Sequence, residues 1–220
     1  MTQQLAPPWR ASLAPRPRGS YRKSEHTKAR IIRAATEVFA ANGFDKGSLR
    51  QVAEAAGISQ AGLLHHYPNK VALLTGVLRA RDLHGKQAVS DTGHGVSRLV
   101  ALVDFARRSV IEHPEEIEIF AIMSAEATRP EHLAHGYFVE RYLLVAGIIE
   151  QALRQARHDG HLRHGLCPAL ATSQLIGLWD GLQVQWLLLG RQVDIAAQLE
   201  LLTNSFLVAP LRELARPQAT

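Results

Sequence analysis

Two short runs of the sequence carry the side chains best equipped for chemistry. The first, SQAGLLHHYPNK at 59–70, holds the pair His65-His66 beside Tyr67 and Lys70. The second, HDGHLRHGLC at 158–167, places His158, His161, His164 and Cys167 three residues apart. Imidazole and thiolate groups are zinc ligands, four of which make a tetrahedral shell. A histidine pair can also act as catalytic acid and base.

Spacing argues against both readings. Adjacent residues on a helix point about 100° apart, so His65 and His66 cannot chelate one ion. Gly160 and Gly165 interrupt any regular helix through the second run, which falls in a polar connector. No metal is expected there. No G-x-S-x-G elbow, Gly-rich phosphate loop or H-E-x-x-H sequence is present, so neither an enzyme nor a cofactor is expected.

Charge gives a better lead. The 220-residue chain has a formal charge of +5, unevenly spread. Residues 1–70 hold eleven Lys/Arg and four Asp/Glu, a balance of +7, whereas residues 71–220 hold fourteen and sixteen, a balance of −2. A basic N-terminal part of this kind suits a polyanion partner. The single cysteine, Cys167, excludes an internal disulfide framework and fits a reducing compartment. No signal-peptide run opens the sequence, and the most apolar segment, 175–190, contains Asp180, Gln183 and Gln185. No membrane partner is expected, and the expected address is the cytoplasm.

Residues 1–24, rich in Pro, Arg and Lys, read as a flexible basic arm. From residue 25 the punctuation is helical. Ile31, Ile32, Ala35, Val38 and Phe39 mark one face of a helix ending at Asn42-Gly43. Ser48-x-x-Gln51 is a capping box for a short helix that closes at Gly57. Ile58 and Leu63 flank Ser59 as a hydrophobic staple, so Ser59 starts another. Pro68 ends it, and Asn69 can cap a fourth helix from Lys70. Two short helices about a Gly-Ile-Ser turn predict a helix-turn-helix, whose second helix enters the major groove.

Beyond a connector near 91–95, longer helices are expected at 96–112, from Pro114 to about Ala127, from a Thr128-x-x-Glu131 capping box to about Arg157, at 168–189, and at 194–208 from Asp194. The fold class is therefore all-α, with about nine helices: an N-terminal three-helix helix-turn-helix domain at 25–85 and a larger helical ligand-binding and dimerisation domain at 95–214. The 168–189 helix is apolar on nearly every side and must be covered all round. A second copy of the chain is the expected cover. Ile195, Leu199, Leu202 and Phe206 offer a stripe suited to a four-helix interface across a two-fold axis.

From Glu25 to Gly85 the chain resembles the N-terminal domain of the TetR family of bacterial transcriptional regulators. The signals stand in register in RIIRAATEVFAANGFDKGSLRQVAEAAGISQAGLLHHYPNKVALL. The resemblance implies a double-stranded DNA operator as partner, read by a homodimer. It places Thr27, Ser48, His66, Tyr67 and Lys70 where the family commonly contacts phosphate. It places Arg50, Gln60, Ala61, Leu64 and His65 where base edges are met. Leu64 stands where the family often has tyrosine; leucine can touch a thymine methyl but donates no hydrogen bond. The chemistry of the other positions agrees. Arg50 can grip guanine and Gln60 adenine in bidentate fashion, and Ala61 and Gly62 keep the helix thin. Lys70 adds charge to a helix N-terminus suited to phosphate.

A regulator of this kind needs a signal. Phe105, Phe120, Met123, Trp179, Gln183 and Trp186 are candidate lining for a pocket that takes a small, largely apolar or aromatic effector. The remaining alternative is a helical ligand- or metal-binding adaptor without specific DNA binding.

Overall fold

The structure is a computed structural model and describes residues 18–90 and 92–216. Among the described residues ten helices follow one another: α1 (Arg18–Lys46), α2 (Leu49–Ala55), α3 (Gln60–His66), α4 (Lys70–Ser90), α5 (Val96–Glu112), α6 (Pro114–Glu126), α7 (His135–His158), α8 (Pro168–Leu188), α9 (Ile195–Phe206) and α10 (Leu211–Leu214). Among the described residues no strand forms, only an isolated bridge between Leu162 and Leu207. The all-α expectation holds.

α1 begins at Arg18, earlier than the expected boundary at 25; the rest of the basic arm, 1–17, lies outside the described residues. Its regular path breaks at Gly43 (φ 74°, ψ 163°), a conformation that suits only glycine. A second correction concerns Thr128. Its Oγ1 donates to the Ala125 carbonyl at 2.8 Å, closing α6 instead of capping a new helix. Residues 127–134 consequently form turns, tied down where His135 Nδ1 meets the Ala127 carbonyl at 2.8 Å, and α7 starts only at His135.

Two cores organise the molecule. Ile31, Phe39, Val52, Leu63, Leu73 and Leu74 from α1–α4 form the first, together with Phe120 of α6 and Phe138 of α7. Leu99, Ile149, Leu153, Leu182, Trp186, Leu199 and Phe206 anchor the second, built mainly from α5 and α7–α10 with Ile117 of α6. The α9 stripe expected at a dimer interface faces this second core: Ile195, Leu199 and Phe206 are buried and Leu202 partly so. Burial within the chain wins because α9 lies across α5 and α8. α8 is likewise sunk along Leu175, Leu182 and Trp186, while Leu170, Gly177, Gly181, Val184 and Leu188 stay exposed.

α4 joins the two cores. Its Asp82 accepts from Arg141 Nε at 2.7 Å and from the Tyr137 hydroxyl, both on α7. Farther along, His84 stacks on His113 with ring centroids 4.7 Å apart and lies 3.2 Å from Glu116 Oε1.

Candidate nucleic-acid interface

Local capping builds the helix-turn-helix. The Ser48 side chain accepts from the Gln51 backbone N–H at 3.2 Å, and the Gln51 side chain accepts from the Ser48 N–H at 2.8 Å. The capping box therefore closes in both directions. α2 ends at Gly57 (φ 63°), where the chain must turn left-handed. The Ser59 side chain then caps α3 through the Gly62 N–H at 3.1 Å, and Asn69 Oδ1 caps α4 through the Ala72 N–H at 2.8 Å. Leu63 is the buried residue of α3. Its burial is worth about 1.5–3 kcal/mol and fixes which side of the helix turns outward.

The outward side holds Gln60, Ala61, Leu64 and His65, all exposed, with Gly62 partly covered. Arg50 projects nearby from α2, its Nε donating to Glu54 Oε1 at 2.8 Å. Both side chains are largely in water (79% and 62% exposed), so the pair is weak and Arg50 can exchange it for another acceptor. Thr27 and His66 are half-buried and Ser48 exposed. The His65 and His66 rings meet edge-on, 71° apart in plane, rather than converging on one ion.

Tyr67 and Lys70 are set by packing. The Tyr67 ring lies over Gly76 of α4, where an added Cβ would come within 2.7 Å of it. Burial pushes the Tyr67 phenol above its ordinary value, so at neutral pH it is an uncharged O–H donor. Lys70 Nζ sits 4.5 Å from the centre of the Phe44 ring, which holds the cation at the start of α4. Arg30 went unnoticed in the sequence. Its Nη2 donates to the carbonyls of Ala56 and, at 3.4 Å, Gly57, latching α1 to the end of α2. No local pattern announces such a contact.

The other sequence candidates separate. A cavity of about 460 Å³ between α4, α5, α7 and α8 is lined by Phe105 and Trp179, whose rings meet edge to face at 6.1 Å. Phe120, Met123 and Trp186 do not line it; they are buried in the two cores. Gln183 is buried too, where it accepts from Arg81. The lining includes charged residues that the sequence reading missed, Arg81, Asp82, Arg98 and Arg141 among them. Asp180 finds the partner that its burial demands, since the Tyr142 hydroxyl donates to its Oδ2 at 2.7 Å. A more open hollow of about 610 Å³ between α7 and α8 has no Asp, Glu, Lys or Arg in its lining.

His158, His161, His164 and Cys167 form no ligating group. Among the described residues, the cluster with donor atoms within 4.8 Å of one another is His84, His113 and Glu116. There the imidazole planes lie only 17° from parallel, so their in-plane lone pairs run side by side instead of converging. The contact reads as a joint between α4 and α6. No helix among the described residues is long and apolar enough to cross a membrane.

Capped α2 and α3 with a thin, exposed outer face, followed by a basic helix start, define a helix-turn-helix DNA-binding protein. Known proteins agree. Residues 31–77 match the family described as bacterial regulatory proteins, tetR family, and residues 95–209 match the C-terminal part of BetI-type transcriptional repressors. The HTH-type transcriptional regulator SrpR of Pseudomonas putida is 30% identical over 194 residues, covering 88% of this chain and 89% of that protein. NalD, the secondary repressor of the MexAB-OprM multidrug efflux pump in Pseudomonas aeruginosa, matches with a TM-score of 0.63 at 25% identity, covering 84% of this chain and 98% of that one. SmeT, repressor of the Stenotrophomonas maltophilia efflux pump SmeDEF, shares the fold with a TM-score of 0.64 at 19% identity, over 84% of this chain and 92% of that one. The chain belongs to the TetR family and is a DNA-binding transcriptional regulator, which decides against an adaptor without DNA binding.

Proposed function

We propose that this regulator is a repressor that binds a palindromic operator as a homodimer and is released by a small molecule. Residues 25–85 read the DNA, while 95–214 dimerise and bind the effector. The observation that carries the reading is the exposed face of α3, held outward by buried Leu63 and by the Ser59 cap. On that face Gln60 reads adenine, Arg50 reads guanine from α2, and Ala61, Gly62, Leu64 and His65 fit the groove floor. Thr27, Ser48, His66, Tyr67 and Lys70 take phosphates.

Dimerisation is assigned to the outer faces of α8 and α9. On α8, Leu170, Gln174, Gly177, Gly181, Val184 and Leu188 recur at alternating steps of four and three and are all exposed. That spacing is the seam of a helix pair, and its glycines allow close approach. Leu201 of α9, 67% exposed, is assigned to the same interface. Operator half-sites about 34–36 Å apart then require a set distance between the two α3 helices. The 460 Å³ cavity is the effector site, and a ligand there acts by shifting α4. Repression is also the role named for NalD and SmeT.

Selection of bound DNA from random sequence tests the core of this reading. An enriched two-fold symmetric site, bound less tightly as salt rises, is the expected result. Enrichment of an asymmetric site, or of none, would overturn it.

A further inference from the structure

We propose that the 460 Å³ cavity takes an amphiphilic anion, an apolar body bearing one anionic head group, with Arg98 as the head-group anchor. The proposal rests on the effector reading above and adds the chemistry of the ligand. Five cationic side chains line the cavity, Arg79, Arg81 and Lys86 from α4, Arg98 from α5 and Arg141 from α7, against one carboxylate, Asp82. That carboxylate is already engaged by Arg141 Nε and the Tyr137 hydroxyl. Arg81 is also occupied: it donates to Gln183 and lies 3.8 Å from the centre of the Phe120 ring.

Three cations remain. Among the described residues no carboxylate pairs with Arg79, Lys86 or Arg98. The Nε of Arg98 is buried and has no hydrogen-bond partner among them. A guanidinium keeps its charge at any ordinary pH, and a buried donor without an acceptor is costly. An anionic oxygen from a ligand supplies that acceptor in charge-assisted form. A neutral ligand would leave the excess charge uncompensated, and a cationic one would add to it.

The rest of the lining names the body. Leu102, Phe105, Leu144, Val145, Ile148 and Trp179 offer an apolar and aromatic wall. The volume lies within the range of small-molecule sites, about 300–1,000 Å³. Since Arg79 and Lys86 lie on α4 and Arg98 on α5, a head group held among them ties the helix that starts at Lys70 to the regulatory bundle.

The test is calorimetric titration of the full-length protein with ligands that differ only in head group: octanoate, octyl phosphate, octanol and octylamine, then 2-naphthoate against 2-naphthylmethanol. Operator release is read in parallel. We expect at least one anion of a series to bind ten or more times tighter than its alcohol, with octylamine weakest. Whichever of octanoate and octyl phosphate is tighter separates a carboxylate from a phosphate head. Arg98→Gln should erase the anion preference yet leave alcohol binding within about twofold, a split that a folding defect would not produce. The exposed Arg79→Gln is the second variant and should reduce the same preference in part. If an alcohol or the amine binds as tightly as the anions, the anionic assignment falls while the effector site stands. If no ligand of either series binds or releases operator, both fall.

Discussion

Arg81 Nη2 donates to Gln183 Oε1 at 3.2 Å, and both side chains are buried although 102 residues separate them. The bond joins α4, which leaves the DNA-reading helices, to α8, which carries the proposed dimer seam. Burial, then the nearby charge of Arg141, pulls Arg81 down to about 10, which leaves it charged at neutral pH. Gln183→Leu should therefore strand a buried cationic donor and cost about 1–3 kcal/mol in urea unfolding. Operator affinity and effector response should change with it, because the bond ties α4 to α8 beside the cavity. Wild-type stability in this variant would show that Arg81 is satisfied by other means.

The pairing of Arg50 with Glu54 gives a prediction of opposite sign. An exposed i,i+4 pair contributes little in water and must be given up when Arg50 turns to a base. Glu54→Gln should raise operator affinity about twofold or more, since it also removes a negative charge from a phosphate-facing surface. Fluorescence anisotropy at two salt concentrations measures this. Unchanged or weaker binding would mean that Arg50 does not reach the DNA.

Lys70 and Gln60 should fail in different ways. Lys70→Ala removes a phosphate contact, so binding weakens on every sequence and the salt slope falls by about 1. Gln60→Ala should cost about 1–3 kcal/mol at particular base pairs while sparing random DNA. Equal losses on operator and random DNA for Gln60→Ala would remove it from the readers.

Tyr67 is testable from beneath. A Cβ at Gly76 would lie 2.7 Å from the Tyr67 ring and 3.0 Å from Ile32 Cδ1. Gly76→Ala gains about 1 kcal/mol in helix propensity but meets an overpacking cost of roughly 1–3 kcal/mol. The balance should be a small loss of stability and a larger loss of operator affinity, because the ring is forced toward the DNA-facing side. Comparison with Tyr67→Phe, which removes only the hydroxyl, separates position from hydrogen bonding.

What the sequence disclosed follows from the range of each interaction. Ser48 with Gln51, Ser59 with Gly62 and Asn69 with Ala72 are bonds across three residues, so the ends of α2, α3 and α4 could be read locally. Periodicity revealed that α9 has an apolar face but not what it meets, and Leu199 and Phe206 turned inward. Phe120 and Met123 look no different in sequence from Phe105, yet they fill a core while Phe105 borders the cavity. The Arg30 latch, the Arg81–Gln183 bond and the cationic lining depend on elements distant along the chain. No local spacing encodes them.

Asp180 supplies a pH-dependent prediction. Burial raises its carboxyl above the ordinary value, against the opposing pull of the Tyr142 hydrogen bond and the charges of Arg141 and Arg81. A raised folded-state value means that the fold favours the protonated form. Its contribution is complete at acid pH below the unfolded value and is lost as pH climbs through the folded value. Asp180→Asn stays neutral and keeps an acceptor for Tyr142. The melting temperature of the variant should therefore gain on wild type as pH rises above the ordinary aspartate value of about 3.9. A gap that is constant with pH, or that shrinks, would contradict the raised value.

The dimer seam can be tested at a position where the single chain has nothing to lose. A Cβ placed on Gly181 meets no atom within 4 Å, and the residue is exposed at the middle of the Leu170–Leu188 stripe. Glu there is a good helix former, so Gly181→Glu should leave the far-ultraviolet spectrum and the fold of each chain intact. In a two-fold interface each substitution meets its own copy or its near neighbour, so two carboxylates enter one apolar seam. Such burial of unpaired charge is costly enough to dissociate the assembly. Sedimentation should then show monomers, and affinity for a palindromic operator should fall far more than affinity for a half-site. If the Gly181→Glu protein remains dimeric, the α8 stripe is not the seam.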